Sequence, residues 1–238
     1  MPHTLAALVP RLAGRRILVV GDVSLDEYLF GRATRLSREA PVPVLELVHR
    51  QIILGGAANP ARNIVALGSM AAQVGIVGAD PEGEQLRDLL QQASIADQGL
   101  VISPDRPTTR KTRILADESP RLPQQVARLD RLDRSQLLPQ EEGLIISALE
   151  AQIPTADALI CSDYQLGLMT PTVIAAIRNL CRAHGVIFTV DAQGNSHAYH
   201  GADLFRCNNQ EAEAALGQRL NSEADFMAGL ERLRDDLN

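Results

Sequence analysis

Tryptophan is absent from this 238-residue chain, and aromatic residues make up only 3% of it. A platform that stacks unpaired bases needs exposed rings, so this composition argues against a stacking platform for single-stranded nucleic acid. Positive charge is also scarce. Twenty-three Lys and Arg stand against 29 Asp and Glu, a net charge of -6, whereas duplex binders present a basic face. The three cysteines, Cys161, Cys181 and Cys207, are odd in number and have no CxxC spacing. That argues against a disulfide framework or a zinc site and fits a reducing cytoplasm. No run approaches the roughly 20 apolar residues of a membrane span. Met1–Leu12 is broken by Pro10 and Arg11 and has no basic n-region, so it does not read as a signal peptide. The expectation is a cytoplasmic protein that contacts neither nucleic acid nor membrane.

Short apolar runs alternate with helical patterns along the rest of the chain. Ile17–Val20, Val74–Val77, Ala158–Cys161, Val186–Val190 and Leu204–Cys207 read as buried strands, several closely followed by Gly or Asp. Ala57–Leu67, Gly83–Ala93, Glu141–Gln152, Pro171–His184 and Glu223–Leu237 read as helices. In Pro171–His184, Thr170 is the expected N-cap, Pro171 the first helical residue and Gly185 the stop. The alternation predicts an α/β fold with a mostly parallel sheet. Two segments, Leu25–Leu54 and Pro107–Asp130, carry β-type stretches that belong to no βαβ unit. They predict a small accessory sheet, built from two excursions of the chain and usable as a lid or a dimer contact.

Four clusters carry possible chemistry. Gly21–Asp26 follows the first strand, where open α/β sheets bind ligands, and Asp26 could accept bonds from sugar hydroxyls or simply close a turn. Gly55 and Gly56 lead into a helix carrying Asn59 and Asn63. Such a turn lets backbone approach a ligand and offers free helical N–H groups, although a tight turn alone explains it too. Lys111, the only lysine of the chain, and Arg113 share one face of a strand and suit an anionic group or plain solvent. Asn208, Asn209, Gln210 and Glu211 open a helix. Asn208 and Glu211, three apart, could hold hydrated Mg²⁺ beside phosphates or form a simple cap.

In their order and separations these clusters resemble the ribokinase-like (PfkB-type) carbohydrate kinases from about Arg16 to Asn238. The match is closest to the D-glycero-β-D-manno-heptose 7-phosphate kinases of ADP-heptose synthesis. The run Arg35-Leu36-Ser37-Arg38-Glu39-Ala40-Pro41-Val42-Pro43-Val44 is the most discriminating part. Gly21–Asp26, Gly55–Asn63, Lys111-Thr112-Arg113, Ser162-Asp163-Tyr164 and Asn208–Glu211 support it. The resemblance implies an αβα sandwich with a β lid and transfer of the ATP γ-phosphoryl group to a sugar or sugar phosphate, using Mg²⁺. It implies a homodimer formed through the lid or through a missing C-terminal segment. It places Asp26, Gly55, Gly56, Asn59, Asn63, Lys111, Arg113 and Asp163 at the sugar. Asn208, Asn209, Gln210 and Glu211 fall at the nucleotide phosphates, with Asn208 and Glu211 near the metal through water.

The departures from that pattern are specific. Leu166 and Gln193 stand where heptose kinases carry lysine, Ala192 stands for the Pro of their Asp-Pro-Lys, and Cys207 replaces the Pro before the NxxE element. No Gly-Ala-Gly-Asp motif, which supplies the family's general base, occurs in the 238 residues. The expectation is the N-terminal part of one such domain, with lid excursions at about 25–54 and 107–130, inactive by itself. Two alternatives remain open: a non-catalytic binder of a sugar phosphate or a partner chain, and a kinase for another sugar or a nucleoside.

Overall fold

A computed structural model describes residues 5–116 and 124–238. The expectations for Met1–Leu12 and for Pro107–Asp130 therefore fall partly outside the described residues.

The strands in chain order are β1 (Arg16–Gly21), β2 (Val23–Leu36), β3 (Pro43–Gly56), β4 (Met70–Gly78), β5 (Ile95–Ser103), β6 (Arg110–Ala116), β7 (Gln124–Arg131), β8 (Ala158–Asp163), β9 (Ile187–Ala192) and β10 (Leu204–Arg206). The helices are α1 (Ala58–Ala66), α2 (Pro81–Gln92), α3 (Pro139–Gln152), α4 (Pro171–His184), α5 (Asn209–Leu216) and α6 (Glu223–Leu237). Six strands form one sheet in the order β10-β9-β8-β1-β4-β5, and every pairing in it is parallel. The chain order reverses around β1, between β8 and β4, which is where open α/β sheets bind ligands.

Side chains alternate across this sheet and divide the interior in two. Leu18 and Val20 of β1 point to one face, where they pack with Ile145 and Leu149 of α3 and Val173, Ile174 and Ile177 of α4. Val19 between them points to the other face and meets Ala61 of α1 and Leu86 and Leu90 of α2. Strands buried on both faces must be apolar throughout, which is why these runs lack the polar alternation of a half-exposed sheet. The helix ends follow the side-chain chemistry. Thr170 accepts a bond from the Val173 amide, and Gly185 closes α4 at φ 66°, as the sequence predicts.

The two excursions pair as expected. A four-stranded second sheet has the order β3-β2-β6-β7, with β2 antiparallel to β3, parallel to β6, and β6 antiparallel to β7. Three details differ from the sequence reading. The short β stretches between Leu25 and Leu54 are two 14-residue strands of one long hairpin, continued through bulges near Phe30 and Ala33. Edge strand β5 escapes the periodicity because three of its alternating buried positions are Asp97, Gly99 and Ser103, which carry no apolar signal. Helix α2 begins at Pro81, earlier than its apolar residues suggest, because Asp80 caps it through the Gly83 amide.

Candidate functional site

The turn from β1 into β2 and the turn from β3 into α1 meet at the carboxyl end of β1. The Ala57 amide donates to the Asp22 carbonyl at 2.9 Å. Gly56 has φ +55°, and a Cβ there would overlap the Asp22 carbonyl oxygen; only glycine fits this position without strain. A Cβ at Gly55 would stand 2.6 Å from the Asp26 carboxyl carbon. The paired glycines thus do close a tight turn, and they also bring backbone directly against Asp26. Asn59 lies in the first turn of α1 and Asn63 one turn further along, both exposed.

The lid supplies the opposing wall. Its register sets Asp26 beside Lys111, and Tyr28 beside Arg113. Paired residues share a sheet face, so Asp26, Tyr28, Lys111 and Arg113 all present to one side. Arg113 stands 3.3 Å from Asp26, with its guanidinium 5.2 Å from the centroid of the Tyr28 ring. Asp26 Oδ1 and Arg113 Nη1, the two atoms of that ion pair, are buried and make no hydrogen bond among the described residues, and neither does the buried Ser24 Oγ. Buried polar atoms with unused hydrogen-bonding capacity are costly, and here they lie beside the Gly55–Gly56 turn. Arg128, next to Arg113 across β7, instead bonds Asp130 at 2.9 Å.

The third wall is the loop after β8. Tyr164 slides its ring under Lys111, whose Nζ lies 4.8 Å from the ring centroid. Burial raises the Tyr164 phenol above its ordinary pKa, with the carboxylates of Asp191 and Asp26 adding to the effect. Asp163 lies deeper and is buried. One of its oxygens accepts the Gln165 amide at 2.7 Å and the other accepts the Tyr199 hydroxyl at 2.6 Å. Asp22, also buried, accepts the Tyr164 amide at 2.8 Å and the Leu166 amide at 3.2 Å. Burial pushes its carboxyl up to about 6, opposed by those amides and assisted by Asp163.

The fourth cluster lies at β10. Asn208 Oδ1 accepts the Glu211 amide at 2.9 Å, and Glu211 Oε2 accepts the Asn208 amide at 2.7 Å, a reciprocal cap on α5. Asn208, Asn209 and Gln210 are exposed. Arg206 makes two contacts to Asp191, at 2.9 and 3.1 Å. Among the described residues no three His, Cys, Asp or Glu side chains come together as a metal-binding group, and no helix is long and apolar enough to cross a membrane.

The structure thus brings Asp26, Gly55, Gly56, Lys111 and Arg113 together, with Asn59 exposed in the helix turn that follows the two glycines. It keeps Asp163 behind them and the Asn208–Glu211 cap at a separate strand end. Asp22, Ser24 and Tyr164 fall inside the Gly21–Asp26 and Ser162-Asp163-Tyr164 motifs but received no role of their own in the sequence reading, and Tyr28 lay in no motif. A carboxylate placed immediately after a buried strand, as Asp22 is, was the signal available for it.

This architecture is that of the ribokinase-like kinases. A carbohydrate kinase from Agrobacterium tumefaciens superposes with a TM-score of 0.70 at 24% identity, covering 93% of this chain and 68% of that one. Phosphofructokinase-2 from Escherichia coli, in a structure with potassium, gives a TM-score of 0.70 at 18% identity, covering 94% of this chain and 70% of its own. A sequence model of the pfkB family carbohydrate kinases matches residues 15–236, and the chain belongs to that family. Among curated proteins, Bifunctional protein HldE of Geobacter metallireducens is 39% identical over 217 residues, 91% of this chain and 43% of the relative. Its namesake from Caulobacter vibrioides is 38% identical over 218 residues, 91% and 44% of the two lengths. The chain therefore spans under half the length of these relatives.

Proposed function

We propose that this chain binds a phosphorylated sugar beneath its lid, as part of a kinase that transfers the ATP γ-phosphoryl group to a sugar hydroxyl. The observation that carries the reading is the convergence of Lys111 and Arg113 with Asp26 over the Gly55–Gly56 turn. A neutral sugar needs acceptors such as Asp26 and amides such as Asn59 and Asn63, but it needs no pair of cations. An anionic substituent does, and a guanidinium binds one in a planar fork. In this reading Asp26 takes sugar hydroxyls, the Gly55 and Gly56 backbone lies against the ring, and Lys111 and Arg113 take the phosphate. Asp163 acts from behind, through the loop that Tyr199 helps to hold. A heptose 7-phosphate is the favoured substrate, because the resemblance along Arg35–Val44 and the HldE relatives both point toward it.

The exposed N-terminus of α5 suits ATP phosphates, because its free N–H groups and dipole favour anions. Asn208 and Glu211 each commit one oxygen to the cap, so the phosphates themselves would supply most ligands of a Mg²⁺ ion, with Glu211 reaching it through water. The bound metal nucleotide would supply the phosphoryl group and neutralise its charge. Self-association through the lid belongs to the same proposal, and exposed Leu47, Val48 and Leu129 on the lid strands support it.

Leu166 and Gln193, where the resemblance predicts lysines, favour a second reading, a binder of sugar phosphate without catalysis. Calorimetric titration tests the first against the second. The kinase reading expects binding of heptose 7-phosphate well above that of the unphosphorylated heptose, together with binding of ATP–Mg²⁺. Sugar-phosphate binding with no nucleotide binding supports the second, and equal affinity for the two heptoses removes both.

A further inference from the structure

The loop that follows β8 is held in an unfavourable backbone. Gln165 has φ 57°, and Gly167 lies at φ +92°. Non-glycine residues persist in that region only where the surroundings over-determine them. Here the amides on either side of Gln165, those of Tyr164 and Leu166, both donate to the same oxygen, Asp22 Oδ2, at 2.8 and 3.2 Å. Asp22 belongs to the turn after β1, more than 140 residues away in sequence. Its backbone serves the same junction: its amide donates to Ser162 and its carbonyl accepts the Ala57 amide. One residue therefore ties the glycine turn of the sugar site to the loop that carries Tyr164. The carboxylate is buried at 5% exposure, a position that costs stability unless it organises something. Nothing in the reaction assigned above uses it directly.

Tyr164 connects this clasp to the substrate. Its ring is the surface on which Lys111 rests, so the place of the ring fixes the place of the ammonium group. We infer that Asp22 is a positioning residue for phosphate recognition: it clasps the strained 163–168 loop so that Tyr164 seats Lys111 against the substrate phosphate. The clasp itself stands on the geometry alone; its link to phosphate rests on the function proposed above. Preorganisation of this kind raises affinity by removing the ordering cost at binding. Arg106 also grips the loop, donating to the Leu166 carbonyl at 3.0 Å, so loss of the clasp loosens the loop without unfolding the chain.

The test combines hydrogen exchange on the free chain with calorimetric binding of heptose 7-phosphate. In Asp22→Ala the amides of Tyr164 and Leu166 exchange at least about tenfold faster while core amides of β1 and β8 do not. Asp22→Asn, which keeps an acceptor oxygen, restores most of the protection. Affinity for the sugar phosphate falls about tenfold in Asp22→Ala, and that loss disappears when Lys111→Met is already present. Unchanged exchange at both amides overturns the clasp. Faster exchange with unaltered affinity, or with losses that add to those of Lys111→Met, overturns its role in recognition. Failure of the unaltered chain to bind the sugar phosphate overturns the proposed function instead, and the exchange data still decide the clasp.

Discussion

Lys111 Nζ sits 4.8 Å from the centroid of the Tyr164 ring, which joins the lid to the main sheet across the candidate cleft. The ammonium group comes from β6 and the ring from the loop after β8, two elements with no backbone pairing between them. An ammonium on an aromatic face gains about 0.5–2 kcal/mol, depending on how well water is excluded. Tyr164→Phe keeps the ring, so sugar-phosphate affinity should remain within about twofold, whereas Tyr164→Leu should lose about 2- to 30-fold. Calorimetry on the two variants measures this; equal losses in both would mean that the hydroxyl, rather than the ring, is what matters.

Gly56 makes a sharper structural prediction. Its φ of +55° and the overlap a Cβ would make with the Asp22 carbonyl leave no room for alanine. Gly56→Ala should lower stability by more than about 1 kcal/mol and displace the turn against Asp26. Urea denaturation gives the first effect, and loss of sugar-phosphate binding gives the second. A variant with unaltered midpoint and affinity would contradict the geometry.

Within the second sheet, the long hairpin of β2 and β3 is tied to β6 through Glu27. Its buried carboxylate meets Thr112, Arg50 and Arg110. Burial raises its pKa, but the hydrogen bonds of Thr112 and Arg50 and the charges of Arg110 and Arg50 outweigh that and hold it below its ordinary value. A lowered carboxyl pKa means stability that is present above the unfolded-state value of 4.5 and fades as pH falls through the folded-state value. Glu27→Gln should therefore cost about 1–3 kcal/mol at neutral pH and flatten the acid limb of the urea midpoint. An unaltered acid limb would rule out this node.

Asp22 carries the opposite sign. Burial lifts its carboxyl from 3.8 to about 6, with Asp163, Cys161 and Tyr199 gathered behind it at the end of β8. The stability linked to its protonation is complete below pH 3.8 and is lost as pH rises through about 6. Asp22→Asn should accordingly gain on the unaltered chain as pH rises from 4 to 8. A gap between the two urea midpoints that widens toward acid would contradict the assignment.

Much of this was legible in the sequence. The doubly buried strands announce themselves by unbroken apolar runs, as in Ile17–Val20, and α4 by Thr170, Pro171 and Gly185. The two excursions were recognisable because their prolines and polar alternation fit no crossover unit. What stayed hidden were relations between distant segments. Nothing local to Asp22 says that its oxygen meets amides at 164 and 166, and nothing in Asp163 says that Tyr199 occupies it. Lys111 and Arg113 were found because a strand places alternate residues on one face. Tyr164 beneath Lys111 required the two sheets to be placed against one another, which no periodicity encodes. The Asn208–Glu211 pair fitted both a cap and a phosphate site in sequence, and in the structure the cap is made.

The most direct test is a binding cycle on the lid cations. Titrate the unaltered chain and a Lys111→Met, Arg113→Met double variant with heptose 7-phosphate and with the unphosphorylated heptose. Each charge-assisted bond to phosphate is worth about 1.5–3 kcal/mol. The unaltered chain should thus prefer the phosphorylated sugar by at least about tenfold, and the double variant should bind both sugars alike. A preference for phosphate that survives removal of both cations would place the anion elsewhere and contradict the account.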